Sequence, residues 1–397
     1  MKSVPVHLLK PGVVFSSPVY INENDILVPA NVPIQQKDID DLAEKGIASV
    51  LTDGVPGFSS NNSEKAAQDE TAFRPSLIRT PSPFSLSEIR ENKGAYRIYI
   101  QLIERLHSIF YRISSSQDRT LDNRPVNEIS ASLLQVVRNQ RDRFVGFILG
   151  SDVKGFDLAK SSVNTAILSS IVAQAQEKKY PHYKILHIII GSLLHDVGML
   201  RLPKEILNKQ GKLSAAENKQ MQSHPLIAYQ ITVKELSYPD EVGRIVLQHH
   251  ERWDGAGYPN RLTGPAISDS AQIVSIADAF EAMVSRKPYR DPILGNQAMK
   301  NLLADNSRRF NPDILKSFTL TMGLYPLGSI VRLNNGLIGR ISEVRAAAPM
   351  RPKIHVLIDQ NKKTALTDEK VFVDLLIEKD LFITKTMDMR ELSEDDA

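Results

Sequence analysis

The stretch ILHIIIGSLLHDVG, residues 185–198, is the most apolar part of the chain and ends on an adjacent histidine and aspartate. A helix that is apolar on every side belongs in the centre of a protein. Gly198 is placed to end this helix. Because a bilayer span needs about twenty apolar residues, the run is too short to cross a membrane. We predict a central buried helix that carries His195 and Asp196 into the interior of a helical domain.

The composition excludes several kinds of site. The chain has 397 residues, of which 42% are apolar and 24% charged, as expected for a globular protein of two or three domains. A net charge of +3 gives no overall signal for a nucleic-acid polymer as partner. The absence of cysteine excludes disulfides and sulfur-ligated metals, so any metal must be held by His, Asp or Glu. The N-terminal segment lacks a signal peptide, and we expect a cytoplasmic protein without membrane insertion.

Hydrophobic periodicity divides the chain into a long helical part and two small flanking modules. Helical spacing dominates the middle of the chain, and the period changes to two after Tyr325, where an Asn334-Asn335-Gly336 turn predicts a hairpin. The predicted fold is mainly α, a helical bundle with a small N-terminal α/β module and a small C-terminal β-rich cap. The predicted segments are the α/β module (1–57), a flexible linker (58–94), long leading helices (95–146), the site-bearing helical domain (147–323), the β-rich cap (324–385) and an acidic tail (386–397).

Within the α/β module, short strands are predicted over 13–20, 26–29 and 48–52, and a helix over 36–45 that Gly46 ends. The linker prediction rests on low hydrophobicity and on three prolines, Pro75, Pro81 and Pro83.

Six of the nine histidines lie between residues 182 and 250. An ionisable pair such as His195-Asp196 at the end of a buried helix is costly unless it is compensated. A metal ion would compensate both residues, whereas a simple hydrogen bond that fixes the helix end is the structural alternative. At this level both interpretations remain open.

His249, His250 and Asp278 extend the pattern. His249 continues an apolar stripe, and His250 points about 100° away from it around the helix. Asp278 lies at the edge of the core face of the helix AQIVSIADAFEAMVS. Each residue alone has an ordinary explanation that competes with a metal ligand. A lone histidine on such a stripe is usually a satisfied core residue, and an N-terminal partner or a salt bridge would explain Asp278. His224 alone is uninformative.

Taken together, these are four imidazoles and two carboxylates, which as nitrogen and oxygen ligands suit Fe, Mn or Zn better than Mg or Ca. Asp196 has two oxygens that can bridge two ions about 3.5–4 Å apart, an arrangement suited to phosphate ester hydrolysis. The loop 254–259 contains glycines that allow close approach to a ligand, although a plain tight turn explains it too. Arg286, Lys287 and Arg290 suit phosphate binding or a solvated helix end.

Three motifs closely resemble the HD-GYP family: HDVGMLRLPKEILNKQGKLSAAE (195–217), HHERWDGAGYP (249–259) and IADAFEAMVSRKPYR (276–290). The resemblance spans about 130 to 320 and implies an HD-type helical bundle. Members are metal-dependent phosphodiesterases that hydrolyse the bacterial second messenger cyclic di-GMP to pGpG or GMP. The resemblance therefore implies cyclic di-GMP as substrate, two divalent ions (iron or manganese) as cofactors, and GGDEF-domain proteins as partners through the GYP loop.

The resemblance also implies individual roles. Asp196 matches the carboxylate that bridges two metals and positions a metal-bound hydroxide. The residues that match family metal ligands are His195, Asp196, His224, His249, His250 and Asp278. The residues that match substrate-binding positions are Gly257, Tyr258 and Pro259 of the loop and the cations Lys287 and Arg290.

Two positions depart from the family. Ser161 occupies the place of a ligand histidine, and Met199 the place of a lysine near the substrate phosphate. Asp157, four residues before Ser161, matches a glutamate of three-metal members. One metal site is expected to be complete and the other to keep three protein ligands, as open catalytic sites do. Loss of the lysine removes a stabilisation worth about 2–4 kcal/mol in comparable sites.

We therefore expect a cyclic di-GMP phosphodiesterase with a weakened rate. The alternatives are a degenerate domain that binds cyclic di-GMP or a protein without hydrolysis, and a phosphohydrolase for another cyclic dinucleotide.

Overall fold

The structure is a computed structural model that describes most of the chain from residue 86 onward and parts of the N-terminal region. The described residues are 2–6, 9, 13–15, 19–21, 26–28, 34, 36–44, 47, 49–53, 56–58, 86–115, 121–150, 157–176, 178–209, 211–285, 291–305, 308–359 and 371–387. The chain forms two compact units, Met1–Ile78 and Arg79–Ala397, and each is described by itself.

The N-terminal unit is a small antiparallel sheet with one helix. A four-stranded sheet has the order β1-β5-β3-β4, and β2 pairs with β6. Apolar residues from the strands and from the helix, among them Phe15, Leu42 and Val50, form its buried core. Its elements are β1 (Lys2–Pro5), β2 (Val13–Phe15), β3 (Val19–Tyr20), β4 (Ile26–Val28), α1 (Gln36–Glu44), β5 (Ser49–Thr52) and β6 (Pro56–Phe58). The predicted α/β character is confirmed, while β1 and β6 were not predicted.

The second unit is built mainly from helices. Its helices are α2 (Leu86–Ser115), α3 (Arg124–Gly150), α4 (Asp157–Gln174), α5 (His182–Leu194), α6 (Lys204–Leu207), α7 (Ala215–Met221), α8 (His224–Gln230), α9 (Asp240–Gln248), α10 (Asp269–Val284), α11 (Gly295–Ala304) and α12 (Pro312–Met322). Two 3-10 turns, Val197–Arg201 and Gly264–Ala266, and a π turn, Ile231–Glu235, join some of them. The predicted helical bundle is confirmed.

The central position of α5 is also confirmed. Eight of its thirteen residues are buried, and it packs against α4 and α9. The stretch His182–Arg201, which includes the following 3-10 turn, is long and apolar enough to span a membrane, and 67% of its apolar window is buried within the protein. Helix α5 ends at Leu194, so Gly198 does not end it as predicted. Gly198 instead lies in the 3-10 turn, where its backbone closely approaches α8.

Helix α2 begins at Leu86, inside the range predicted as linker. The low hydrophobicity of this segment concealed a helix start, although Ser85 and Glu88 have the spacing of a capping box. Helix α3 likewise continues across the predicted boundary at 146/147, because its buried residues Phe144, Phe147 and Ile148 extend one apolar face. Residues 59–85 of the predicted linker and the predicted acidic tail from residue 388 lie outside the described residues.

The C-terminal part is a five-stranded antiparallel sheet with the order β10-β9-β8-β7-β11. Its strands are β7 (Ile330–Leu333), β8 (Ile338–Glu343), β9 (Lys353–Ile358), β10 (Phe372–Asp374) and β11 (Ile383–Met387). Strands β7 and β8 form the predicted hairpin, in which Val331 pairs with Gly339. Gly336 has a φ of 86°, which a glycine adopts readily in such a turn. The predicted β-rich cap is confirmed.

Candidate metal centre

Three histidines lie at helix ends, and each makes the same kind of local hydrogen bond. In each, Nδ1 donates to the carbonyl oxygen three residues earlier: His195 to Ser192 at 2.7 Å, His224 to Met221 at 2.8 Å and His249 to Val246 at 2.7 Å. Carbonyls at the end of a helix have no partner within it, so the imidazoles satisfy them. A neutral imidazole that donates through Nδ1 carries its lone pair on Nε2. The same bond is typical of histidines that ligate metals through Nε2.

The free ring atoms of His224 and His249 face each other and the carboxylate of Asp196. Their Nε2 atoms are 3.4 Å apart, and Asp196 Oδ1 lies 3.2 Å from the first and 3.7 Å from the second. Asp196 Oδ1 is buried and has no hydrogen-bond donor among the described residues. Two lone pairs and a carboxylate oxygen at these distances repel one another unless a cation lies between them.

His250 completes this group. Asp196, His224, His249 and His250 each offer one ligand atom, and these atoms lie within 4.8 Å of one another. The ring of His250 also packs against Tyr258, with ring centroids 4.8 Å apart. Three imidazoles, two of them fully buried, and one carboxylate with an unsatisfied buried oxygen fit a divalent transition metal. We call these four residues the histidine cluster.

A second group of ligand atoms lies on the other side of Asp196. His195 Nε2 is 3.4 Å from Asp196 Oδ2 and 3.6 Å from Asp278 Oδ1, and it makes no hydrogen bond within the described chain. Helix α10 supplies Asp278, and α5 positions the other two residues. The two oxygens of Asp196 thus face two different groups, and the second group, the His195 group, contains three ligands.

Burial and charge act together on the protonation states. Burial by itself would raise the pKa of Asp196 and Asp278, but the neighbouring imidazoles hold the pKa of Asp196 well below its usual range and lower that of Asp278 to about 2. Burial lowers the pKa of His249, and burial together with the charge of His249 lowers that of His250 further. Burial opposes protonation of His195, yet the two carboxylates raise its pKa well above normal. The carboxylates are therefore ionised, which is the form that binds a cation.

The loop after the histidine pair folds back onto the cluster. The buried carboxylate of Glu251 accepts hydrogen bonds from the backbone N–H groups of Asn260 at 2.7 Å and Leu262 at 3.0 Å. The N–H of Tyr258 donates to the carbonyl oxygen of His250 at 3.2 Å. Burial raises the pKa of the Tyr258 phenol, and the charges of Asp196 and Asp278 raise it further, so the hydroxyl keeps its proton. Glu251 was not predicted as a functional residue, although an acidic residue directly after two adjacent histidines is itself a signal.

Gly257 packs closely against the backbone of residues 250–252, and Gly257→Ala tests the importance of this contact. A Cβ at this position would lie 2.6 Å from both Glu251 Cα and the His250 carbonyl oxygen, against backbone that cannot rotate away. We expect the loop to shift and to move Tyr258 away from His250, and the expected hydrolytic activity of the site to fall by about a hundredfold while the fold persists. Steady-state kinetics with circular dichroism would measure this. Ala256→Ser, at an exposed neighbour, should have no effect. Unchanged kinetics for Gly257→Ala would mean that the position of the loop is irrelevant to activity.

The remaining predicted residues are placed differently. The Ser161 hydroxyl donates to the buried carboxylate of Glu281 at 2.7 Å, a residue that the sequence analysis did not single out. Met199 is half-buried in the 3-10 turn after Asp196. Asp157 begins α4, and its side chain lies outside the described structure. Lys287 and Arg290, predicted to bind phosphate, also lie outside the described residues, as does Arg286.

Comparison with known proteins identifies the domains. Residues 154–314 match the family model of the HD domain, and residues 330–395 match that of a KOW domain associated with the HD domain. A similar solved structure, Bd1817, an HDG"Y"P protein from Bdellovibrio bacteriovorus, is 16% identical with a TM-score of 0.48, covering 80% of this chain and 97% of that one.

Three curated relatives are phosphodiesterases by name. Cyclic di-GMP phosphodiesterase PA4108 of Pseudomonas aeruginosa is 26% identical over 85% of this chain and 80% of its own length. Cyclic di-GMP phosphodiesterase PdeB of Borreliella burgdorferi is 30% identical over 58% of this chain and 60% of its own length. The 3'3'-cGAMP-specific phosphodiesterase 2 of Vibrio cholerae is 40% identical over 32% of this chain and 24% of its own length. The resemblance found in the motifs is confirmed at the level of the domains: the chain is similar to HD-domain proteins, with an HD-domain match followed by a match to the KOW domain associated with it.

Proposed function

We propose that the chain is a metal-dependent phosphodiesterase that hydrolyses cyclic di-GMP. The observation that carries this proposal is the histidine cluster, in which three imidazoles converge on a carboxylate whose buried Oδ1 has no hydrogen-bond donor among the described residues. The names of the relatives support the substrate, since PA4108 and PdeB, which each match more than half of this chain, are cyclic di-GMP phosphodiesterases by name.

The proposed centre holds two divalent ions, iron or manganese. The histidine cluster would hold one ion, the His195 group the other, and Asp196 would face both through its two oxygens. Bound there, divalent ions supply a nucleophile from water at neutral pH and Lewis-acid polarisation of the phosphoryl oxygens. The protein residues do the rest. The backbone carbonyls of Ser192, Met221 and Val246 fix the imidazole orientations.

Substrate binding is assigned to the loop and, from the family resemblance, to two cationic residues of the chain. The Tyr258 hydroxyl keeps its proton and can donate a hydrogen bond to the nucleotide, while Gly257 and Pro259 shape the loop around it. Lys287 and Arg290 would contact the phosphates. The uncharged Met199 leaves the developing negative charge less stabilised, which supports a reduced rate.

A second candidate function is a cyclic di-GMP receptor that does not hydrolyse its ligand. Ser161 and Met199 favour it, because the first provides no imidazole to the His195 group and the second provides no cation. The complete histidine cluster argues for the enzyme instead.

Anaerobic purification, metal analysis and turnover of cyclic di-GMP with added Mn²⁺ or Fe²⁺ test the proposal. We expect two metal ions per chain and linear product that disappears after chelation. Nucleotide binding without product under either metal would favour the receptor. Faster turnover of 3'3'-cGAMP than of cyclic di-GMP in the same assay would assign the other cyclic dinucleotide as substrate.

A further inference from the structure

A buried carboxylate lies one helical turn after Asp278. Glu281 is 1% exposed, and the described side chains that donate hydrogen bonds to it include the hydroxyls of Ser161 at 2.7 Å and Ser285 at 2.6 Å and the amide of Asn164 at 3.1 Å. The Tyr99 hydroxyl in turn donates to the Asn164 carbonyl oxygen at 2.8 Å. All five residues are buried. We call them the Glu281 network.

The network is connected to the His195 group through two helices. Glu281 follows Asp278 by three residues on α10, and residues at this spacing lie on the same face of a helix. Ser161 and Asn164 have the same spacing on α4, which packs against both α5 and α10. The hydrogen bonds from α4 to Glu281 therefore fix the turn of α10 that carries Asp278.

The carboxylate of Glu281 also suits this place electrostatically. It lies one helical turn after Asp278, which belongs to the His195 group. Because a negative charge in a low-dielectric interior attracts a divalent cation, the Glu281 carboxylate would favour an ion held by that group.

We propose that Glu281 is a positioning residue of the metal centre, which strengthens the binding of the ion held by His195, Asp196 and Asp278. The inference rests on the proposed function, in which a metal ion occupies the His195 group. The hydrogen bond from Ser161 holds the Glu281 carboxylate, and the network holds Asp278 in place. The residue at 161 thus contributes to the centre through Glu281 rather than as a ligand.

Glu281→Gln tests the proposal because it removes the charge and keeps the size of the side chain. Mn²⁺ binding to the full chain is measured by calorimetric titration and by electron paramagnetic resonance, which detects a coupled ion pair. We expect the weaker of two sites to lose about 10–100-fold in affinity, as supporting residues of metal ligands do, and the stronger site to be unchanged. The signal of the coupled pair should weaken, and Glu281→Asp should restore part of the affinity.

Asp269→Asn is the matched control. It removes a carboxylate from the first turn of the same helix, where Asp269 is partly exposed and paired with Lys179 at 2.9 Å. Both Mn²⁺ affinities should remain at the wild-type value in this variant. Melting curves without metal show whether each variant folds.

Tyr99→Phe keeps the test decisive if Glu281→Gln does not fold, because it removes only one hydroxyl from the network. A weaker second site in Tyr99→Phe supports the proposal. The proposal is overturned if Glu281→Gln binds two Mn²⁺ ions with wild-type affinity. If only Tyr99→Phe folds, the same result in that variant overturns it. A wild-type chain that binds a single ion would also overturn it. A wild-type chain that binds no Mn²⁺ or Fe²⁺ would overturn the proposed function as well, so the two failures are distinguishable.

Discussion

The variant His249→Ala is expected to lose turnover of cyclic di-GMP completely and to release one tightly bound divalent ion per chain. His249 is fully buried at the centre of the histidine cluster, and its Nε2 faces both His224 Nε2 and Asp196 Oδ1. Without the imidazole of His249, the proposed metal site loses one of its ligands, and the ion would be held only by the remaining residues of the cluster. Metal content by mass spectrometry and product formation with added Mn²⁺ would be measured on the same preparation.

His187→Ala is the matched control for this result. His187 is also an imidazole close to the site in sequence, on α5, but its Nδ1 lies 3.1 Å from Glu241 Oε2 on the partly exposed side of the helix. Its removal should leave metal content and turnover unchanged. Wild-type turnover in His249→Ala would show that the reaction does not take place at the histidine cluster.

The positions of the helix-end histidines could be predicted from the sequence for a local reason. An apolar run followed by His195-Asp196, and an apolar stripe that His249 continues, place these residues at the ends of buried helices. The bond from each Nδ1 to the carbonyl three residues earlier follows from that position. Their convergence is not local, because 54 positions separate His195 from His249. The concentration of histidines and acids at buried helix ends suggested a shared metal site, and the resemblance of the motifs to a known family gave each residue its expected role in it.

Glu281 shows why other parts of the centre could not be predicted. The core face of α10 was recognised from residues such as Phe280 and Met283, and an acidic residue between them was unremarkable. Its donors, Ser161 and Asn164, lie 120 and 117 positions away in sequence. No periodicity connects such distant residues. The start of α2 was missed for a local reason. Its first residues are polar, and their low hydrophobicity favoured a linker over the capping-box spacing.

The variant Gly198→Ala is expected to destabilise the helical unit by about 3 kcal/mol and to weaken metal binding, although Gly198 is not a ligand. A Cβ at this position would overlap the His224 carbonyl oxygen and lie 2.7 Å from the Ala228 backbone nitrogen. Both atoms belong to the backbone of α8, which cannot make room by a side-chain rotation. The 3-10 turn must therefore move away from α8, and the movement separates Asp196 from His224.

Gly94→Ala provides the comparison, since a Cβ there meets nothing within 4 Å and Gly94 is exposed in the middle of α2. Alanine in an open helical position raises stability by about 0.5–1 kcal/mol relative to glycine. Urea unfolding of both variants would give the two free energies, and Mn²⁺ titration would give the affinities. Wild-type stability and affinity in Gly198→Ala would mean that the turn yields without moving Asp196. If Gly198→Ala loses stability and Mn²⁺ affinity while Gly94→Ala loses neither, the contact between the 3-10 turn and α8 sets the distance between Asp196 and His224 in the metal site.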